Sequence, residues 1–229
     1  MLDRTDKKNP DSNEEAMASL RISVKSKDPD LVGRMFTAKM IELALANYPG
    51  FFTGGGVRSG GPVLVYWPAL IDSKHIKEIV HIDGKEIEVM PTNQMDLEET
   101  YYQKQPIEIP PPPSDKMINR PLGEIFGARS GDKGGCANIG VWAKNENAFS
   151  FLNNYLTVEK IKELMPDVKD FEIDRYELPN ILSLNFYIHG ILEDGVSSNT
   201  RKDGQAKSLG EYLRAKYADI PKSLFEGKI

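Results

Sequence analysis

Residues 122–143 read LGEIFGARSGDKGGCANIGVWA, and residues 181–191 read ILSLNFYIHGI. In the first stretch, Leu122 to Ala128 reads as a strand, Arg129 to Gly135 as a glycine-rich loop and Cys136 to Ala143 as a second strand. The second stretch is an apolar run of strand length, and Phe171-Glu172-Ile173 adds a further strand. Between them, helical periodicity occupies about 145–164. A last helix spans about 205–217, with Leu209, Tyr212 and Leu213 on one face. The order β-β-α-β-β-α predicts an α+β domain: a mostly antiparallel sheet with helices on one face.

Upstream of this domain, residues 91–121 break the patterning, with Pro110 to Pro113 in an unbroken run. Four prolines favour an extended polyproline II spacer, so a Pro-rich linker is expected over 91–121. The run also suits recognition by a proline-binding module. Residues 16–90 read as a small α/β segment. Leu20, Ile22 and Val24 alternate with polar residues as in a half-buried strand. Asp28-Pro29 then opens a helix reaching about Tyr48. That helix carries apolar residues on most sides, which predicts burial on most sides. The glycine-rich run 50–61 follows, then Val63 to Trp67 as a buried strand. A hairpin is expected from Ile76 to Met90, turning at Asp83-Gly84. Residues 1–15 are almost devoid of apolar side chains and read as a disordered tail, and 222–229 as a C-terminal tail.

Composition narrows the function classes. Against 29 Lys+Arg stand 34 Asp+Glu, a net charge of −5, with both signs interspersed. A generic nucleic-acid binder would show a basic face instead. No apolar run approaches the roughly 18 residues of a membrane span, and the first fifteen residues lack a secretory apolar stretch. A cytoplasmic protein with no membrane partner is the expectation. The single cysteine, Cys136, excludes an internal disulfide and a multi-thiolate metal site. With His75, His81 and His189 the only histidines, a metal centre would lean on carboxylates, and no ligand set is read from the sequence.

The segment Arg129 to Asn138 concentrates the chemistry. Three glycines, Gly134 among them, free the backbone to present N–H groups, and Arg129 and Lys133 add positive charge. Ser130 supplies a hydroxyl, while Asp132 and Asn138 supply acceptors. Together these make an anion cradle for a carboxylate or phosphate. The Lys-Ser/Thr ending of a Walker loop is missing, and so is a dinucleotide fingerprint. The same residues equally suit a tight turn with solvated charges. Cys136 beside them reads first as a small buried hydrophobe. His189, at the end of an apolar strand, fits an acid–base group or a structural, hydrogen-bonded histidine. Asn180 and Asn185 read as structural amides. Arg58, set among glycines 54–61, fits an anion clamp, a docking point for another chain, or a flexible surface loop.

The strings LGEIFGARSGDKGGCANIGVWA, RYELPNILSLNFYIHGIL and KSLGEYLRAKYADIP, in that order, resemble the C-terminal ferredoxin-like domain of the acyclic terpene utilisation (AtuA-like) family over residues 122–221. Where the family pattern continues with an aspartate, this chain has Cys136. DPDLVGRMFTAKMIELALANYPGFF and VYWPALI resemble the closing segment of that family's large N-terminal domain. Longer members carry much more chain ahead of this point. The resemblance implies breakdown of citronellol- and geraniol-like terpenes and related branched acids as acyl-CoA thioesters. It further implies that residues 16–90 complete a larger domain supplied by a separate large AtuA-like subunit.

The resulting expectation is the small subunit of a two-chain enzyme acting on a carboxylate or acyl-CoA, with Asp132 and His189 as proton carriers. Arg129, Ser130, Lys133, Gly134, Asn138 and Arg58 would bind the anionic substrate. A CoA thioester enters only as substrate, and no cofactor is read. The competing expectation is a non-catalytic assembly module for the large subunit. A free-standing small-molecule binding protein is a third.

Overall fold

A computed structural model of the chain describes residues 2–4, 10–13, 15–43, 49–53, 60–89 and 108–225. Alternation of Ala137, Ile139 and Val141 with Asn138, Gly140 and Trp142 makes Cys136–Trp142 a strand, β7, with one face fully buried. Leu184, Phe186 and Ile188 do the same for β9, Ser183–Ile188. Flanked by β6 (Gly127–Lys133) and β8 (Ile173–Leu178), they form an antiparallel sheet of order β6-β7-β9-β8. The apolar face is covered by helices. α3 (Glu146–Tyr155) contributes Phe149 and Leu152, α4 (Val158–Leu164) contributes Ile161, and α5 (Leu209–Arg214) contributes Leu209 and Leu213. This is the expected α+β arrangement, an antiparallel sheet with helices on one face.

Local chemistry sets the element ends. Asn145 Oδ1 accepts the Ala148 N–H at 2.9 Å and starts α3, and Thr157 Oγ1 accepts the Lys160 N–H at 3.1 Å and starts α4. Arg175 on β8 donates through Nε to the Leu156 carbonyl at 3.1 Å and through Nη2 to the Asn153 carbonyl at 2.8 Å. It thereby satisfies carbonyls that the end of α3 leaves open.

Several expectations are corrected. Met117–Pro121, inside the expected linker, is a strand (β5) that pairs antiparallel with β10 (Tyr217–Pro221), Ile118 standing opposite Ile220. Ser150 Oγ donates to the Pro110 carbonyl, so the proline run begins packed against α3. Residues 91–107 of that linker lie outside the described residues. The expected strand at 122–128 is a short 3₁₀ turn, Leu122–Glu124, followed by the start of β6. Within the expected N-terminal tail, Leu2–Arg4 forms β1 against β2, Ser19–Leu20. Lys222–Phe225, expected as tail, is a 3₁₀ turn whose Leu224 and Phe225 pack on the core.

Residues 16–90 also depart from expectation. The helix after Asp28 is broken at Gly33 into α1 (Pro29–Val32) and α2 (Arg34–Leu43), and Leu31, Met35 and Ile41 are exposed. Its apolar pattern is not met by burial within the described residues. Val63 to Trp67 is not a strand: no described strand pairs with it, and Trp67 is 86% exposed. The hairpin forms as read, β3 (Glu78–Ile82) and β4 (Lys85–Val89) turning at Asp83 and Gly84 with φ of 49° and 72°. Both of its faces are exposed.

The chain divides into two compact units, Met1–Val63 and Leu64–Ile229. No helix of the described residues is long and apolar enough to cross a membrane.

Candidate functional site

The RSGDKGG segment is built differently from a loop. Arg129 to Lys133 belong to β6, each paired with β7, from Arg129 opposite Gly140 to Lys133 opposite Cys136. Two glycines make the turn, Gly134 taking a φ of +63°. The ring of Tyr66 lies against this turn, and the Tyr66 N–H donates to the Asp194 carbonyl. Gly135 sits so close to the Glu193 carbonyl that a Cβ there would come within 2.2 Å of its oxygen. Pairing with β7 engages backbone groups that a free glycine loop would have offered to an anion.

Strand alternation then divides the segment between two faces. Ser130 and Asp132 stand opposite Ile139 and Ala137 on the helix side. Ser130 is buried, and its Oγ accepts the Gly210 N–H of α5 at 2.9 Å. Arg129, Gly131 and Lys133 fall on the other, open face, and Lys133 Nζ donates to the Asp132 carbonyl at 3.0 Å.

The open face collects polar side chains from all four strands. Asn138 Nδ2 donates to Asn185 Oδ1 at 2.9 Å, joining β7 to β9. His189, just past β9, brings its Nε2 to 2.9 Å from Asp174 Oδ2 on β8, and Tyr176 Oη donates to the same oxygen at 3.3 Å. The His189 N–H donates to the Glu172 carbonyl at 3.0 Å, and the Tyr187 ring stands edge-on to the imidazole, 4.8 Å between centroids. Cys136 Sγ accepts the Gly190 N–H at 3.4 Å. Its hydrogen bond with Tyr187, followed by burial, pushes the Tyr187 hydroxyl above the usual phenol pKa. The negative charge of Asp174 does the same to Tyr176.

This chemistry is that of an oriented imidazole. A carboxylate only accepts hydrogen bonds, so the nitrogen that bonds to an ionised Asp174 is an Nε2–H, and in the neutral imidazole that tautomer leaves the lone pair on Nδ1. Glu172, Asp174 and His189 also each bring a donor atom within 4.8 Å of the others. Residues 120–218 match the model of the AtuA ferredoxin-like domain, and residues 1–82 match that of the acyclic terpene utilisation family protein AtuA. The chain belongs to the AtuA-like family. No curated protein and no solved structure matches it.

Within the AtuA ferredoxin-like domain, the expected site residues are only partly brought together. Arg129, Lys133 and Asn138 share the open face with His189, and Gly134 lies at the turn between Lys133 and Cys136. Asp132 and Ser130 lie on the opposite face, so the carboxylate beside His189 is Asp174. Arg58 lies outside the described residues. Sequence patterning does not single out Glu172, Asp174, Tyr176 or Tyr187. The alternation in Ile173–Leu178 puts Asp174 and Tyr176 on one face, but their partner depends on a register set between two strands.

Proposed function

We propose that this AtuA-like chain is the small subunit of a cytoplasmic two-chain enzyme acting on a carboxylate or acyl-CoA of branched-acid or terpene type. The observation that carries the reading is the His189–Asp174 pair at 2.9 Å on a face that also bears Arg129 and Lys133. The family's description, acyclic terpene utilisation, supports the substrate class. In this reading Arg129 and Lys133 attract the anionic group, and the paired amides of Asn138 and Asn185 present polar atoms along the face. His189 Nδ1 takes the proton from the reacting group, while Nε2–H remains on Asp174, whose charge stabilises the imidazolium formed.

The test is turnover of branched acyl-CoA thioesters by the assembled complex. His189→Ala should cost about 10²–10⁴-fold in kcat, the range of a lost general base. Arg129→Ala should weaken binding about tenfold to a hundredfold. Asp132→Asn should leave both quantities near wild type, since Asp132 lies on the other side of the sheet. Full activity in His189→Ala would overturn the reading.

A second reading, a non-catalytic module stabilising a large AtuA-like subunit, is favoured by the exposure of Leu64, Val65, Trp67 and Leu70. Under it, a large chain recovered with this one should lose its association on Trp67→Ser and Leu70→Ser. It would remain active with His189→Ala.

A further inference from the structure

We propose that Glu172, Asp174 and His189 form a binding site for a divalent transition-metal ion of the manganese, iron or zinc kind. Their donor atoms all lie within 4.8 Å of one another. One imidazole nitrogen with two carboxylates is a borderline donor set: too nitrogen-bearing for a calcium cage, too hard for copper(I). Two carboxylate charges offset the charge of the ion. Two ligands about 2.1 Å from one ion and at right angles to each other stand about 3 Å apart. His189 Nε2 and Asp174 Oδ2 stand at 2.9 Å as a hydrogen-bonded pair, and an ion between them displaces that bond.

The three residues are held by the sheet. Asp174 is on β8, Glu172 precedes that strand, and the His189 N–H donates to the Glu172 carbonyl at 3.0 Å. Around them, the Tyr187 ring fixes the tilt of the imidazole, and Tyr176 Oη holds Asp174 Oδ2, as residues surrounding metal ligands do. Glu172 is exposed and the other two are half-buried, so an ion there would keep open positions for an oxygen of a bound ligand.

The ion takes the place of the proton that Nε2 otherwise directs at Asp174, and the imidazole stays neutral by carrying its proton on Nδ1. The metal-loaded His189 is then a ligand, and the metal-free His189 keeps the acid–base part proposed above. The site rests on the same side chains as that reading but not on its reaction, so binding is measured without substrate.

The experiment is titration of the full chain, stripped with chelator, using Mn²⁺ followed by the loss of the free-ion electron paramagnetic resonance signal. Zn²⁺ is followed in parallel by equilibrium dialysis. One ion per chain is expected. His189→Ala and Glu172→Gln should each weaken binding tenfold or more, while His75→Ala and His81→Ala should leave it unchanged. Should His189→Ala misfold by circular dichroism, the exposed Glu172→Gln still decides. No binding by the wild type, or binding indifferent to Glu172→Gln, overturns the proposal. Loss of turnover in His189→Ala without any metal binding would overturn this site and leave the acid–base reading standing. Metal binding with full turnover in His189→Ala would do the reverse.

Discussion

Ser130 Oγ accepts the backbone N–H of Gly210 at 2.9 Å, joining β6 to the first turn of α5. The hydroxyl therefore satisfies a donor that the start of α5 leaves open, inside the fold and facing away from His189. Ser130→Ala leaves that buried N–H unpaired, at a cost of about 1–3 kcal/mol. The melting temperature should fall while ligand affinity of the folded protein holds. The reverse pattern would make Ser130 a binding residue after all.

Gly135→Ala should destabilise by about 1–3 kcal/mol, the range for forced overpacking. The new Cβ would come within 2.2 Å of the Glu193 carbonyl oxygen, a backbone atom that moves only with its loop. The Leu192 N–H bond to the Gly135 carbonyl, 2.9 Å, would move with it. Gly140→Ala is the matched control, because its Cβ meets only the Arg129 carbonyl at 3.7 Å. Equal urea midpoints for the two variants would contradict this.

Arg175→Ala should cost about 1.5–3 kcal/mol, the scale of hydrogen bonds from a charged group. It removes the donors to the Leu156 and Asn153 carbonyls at the end of α3. Arg175→Lys should recover only part of the loss, since an ammonium lacks the planar fork that reaches both carbonyls. Chemical denaturation of the three proteins measures this, and full rescue by lysine would show that charge alone matters.

Asp115 gives stability a dependence on acid. Its carboxylate accepts the Ser223 hydroxyl at 2.6 Å and the Ser223 N–H at 2.8 Å, and these bonds hold its pKa below the ordinary carboxylate value of 3.8. A depressed folded pKa contributes stability that is present above the unfolded value and lost as pH falls through the folded one. The loss should begin below about pH 4. Asp115→Asn should flatten this part of the curve in denaturant titrations at descending pH. An unchanged acid limb would place the dependence elsewhere.

What the sequence by itself determined is local. The two-residue periods at Ala137, Ile139 and Val141 and at Leu184, Phe186 and Ile188 require strands with one buried face. The helical periodicity over about 145–164 requires helical structure there, which the structure divides into α3 and α4 at Leu156 and Thr157, and Asp83-Gly84 is chemically suited to a tight hairpin turn. Tertiary structure decided what depends on pairing. Glycines made Arg129 to Gly135 look like a loop, yet a partner strand draws Gly131 into a ladder opposite Asn138, which no count of glycines reveals. Once Arg129 to Lys133 is a strand, alternation must send Asp132 and Arg129 to opposite faces. His189 and Asp174, fifteen positions apart, meet because of the β8–β9 register. A one-residue slip there would turn Asp174 to the far side. Likewise β5 and β10 find each other across most of the domain, since such a ladder is selected by packing rather than by neighbouring residues.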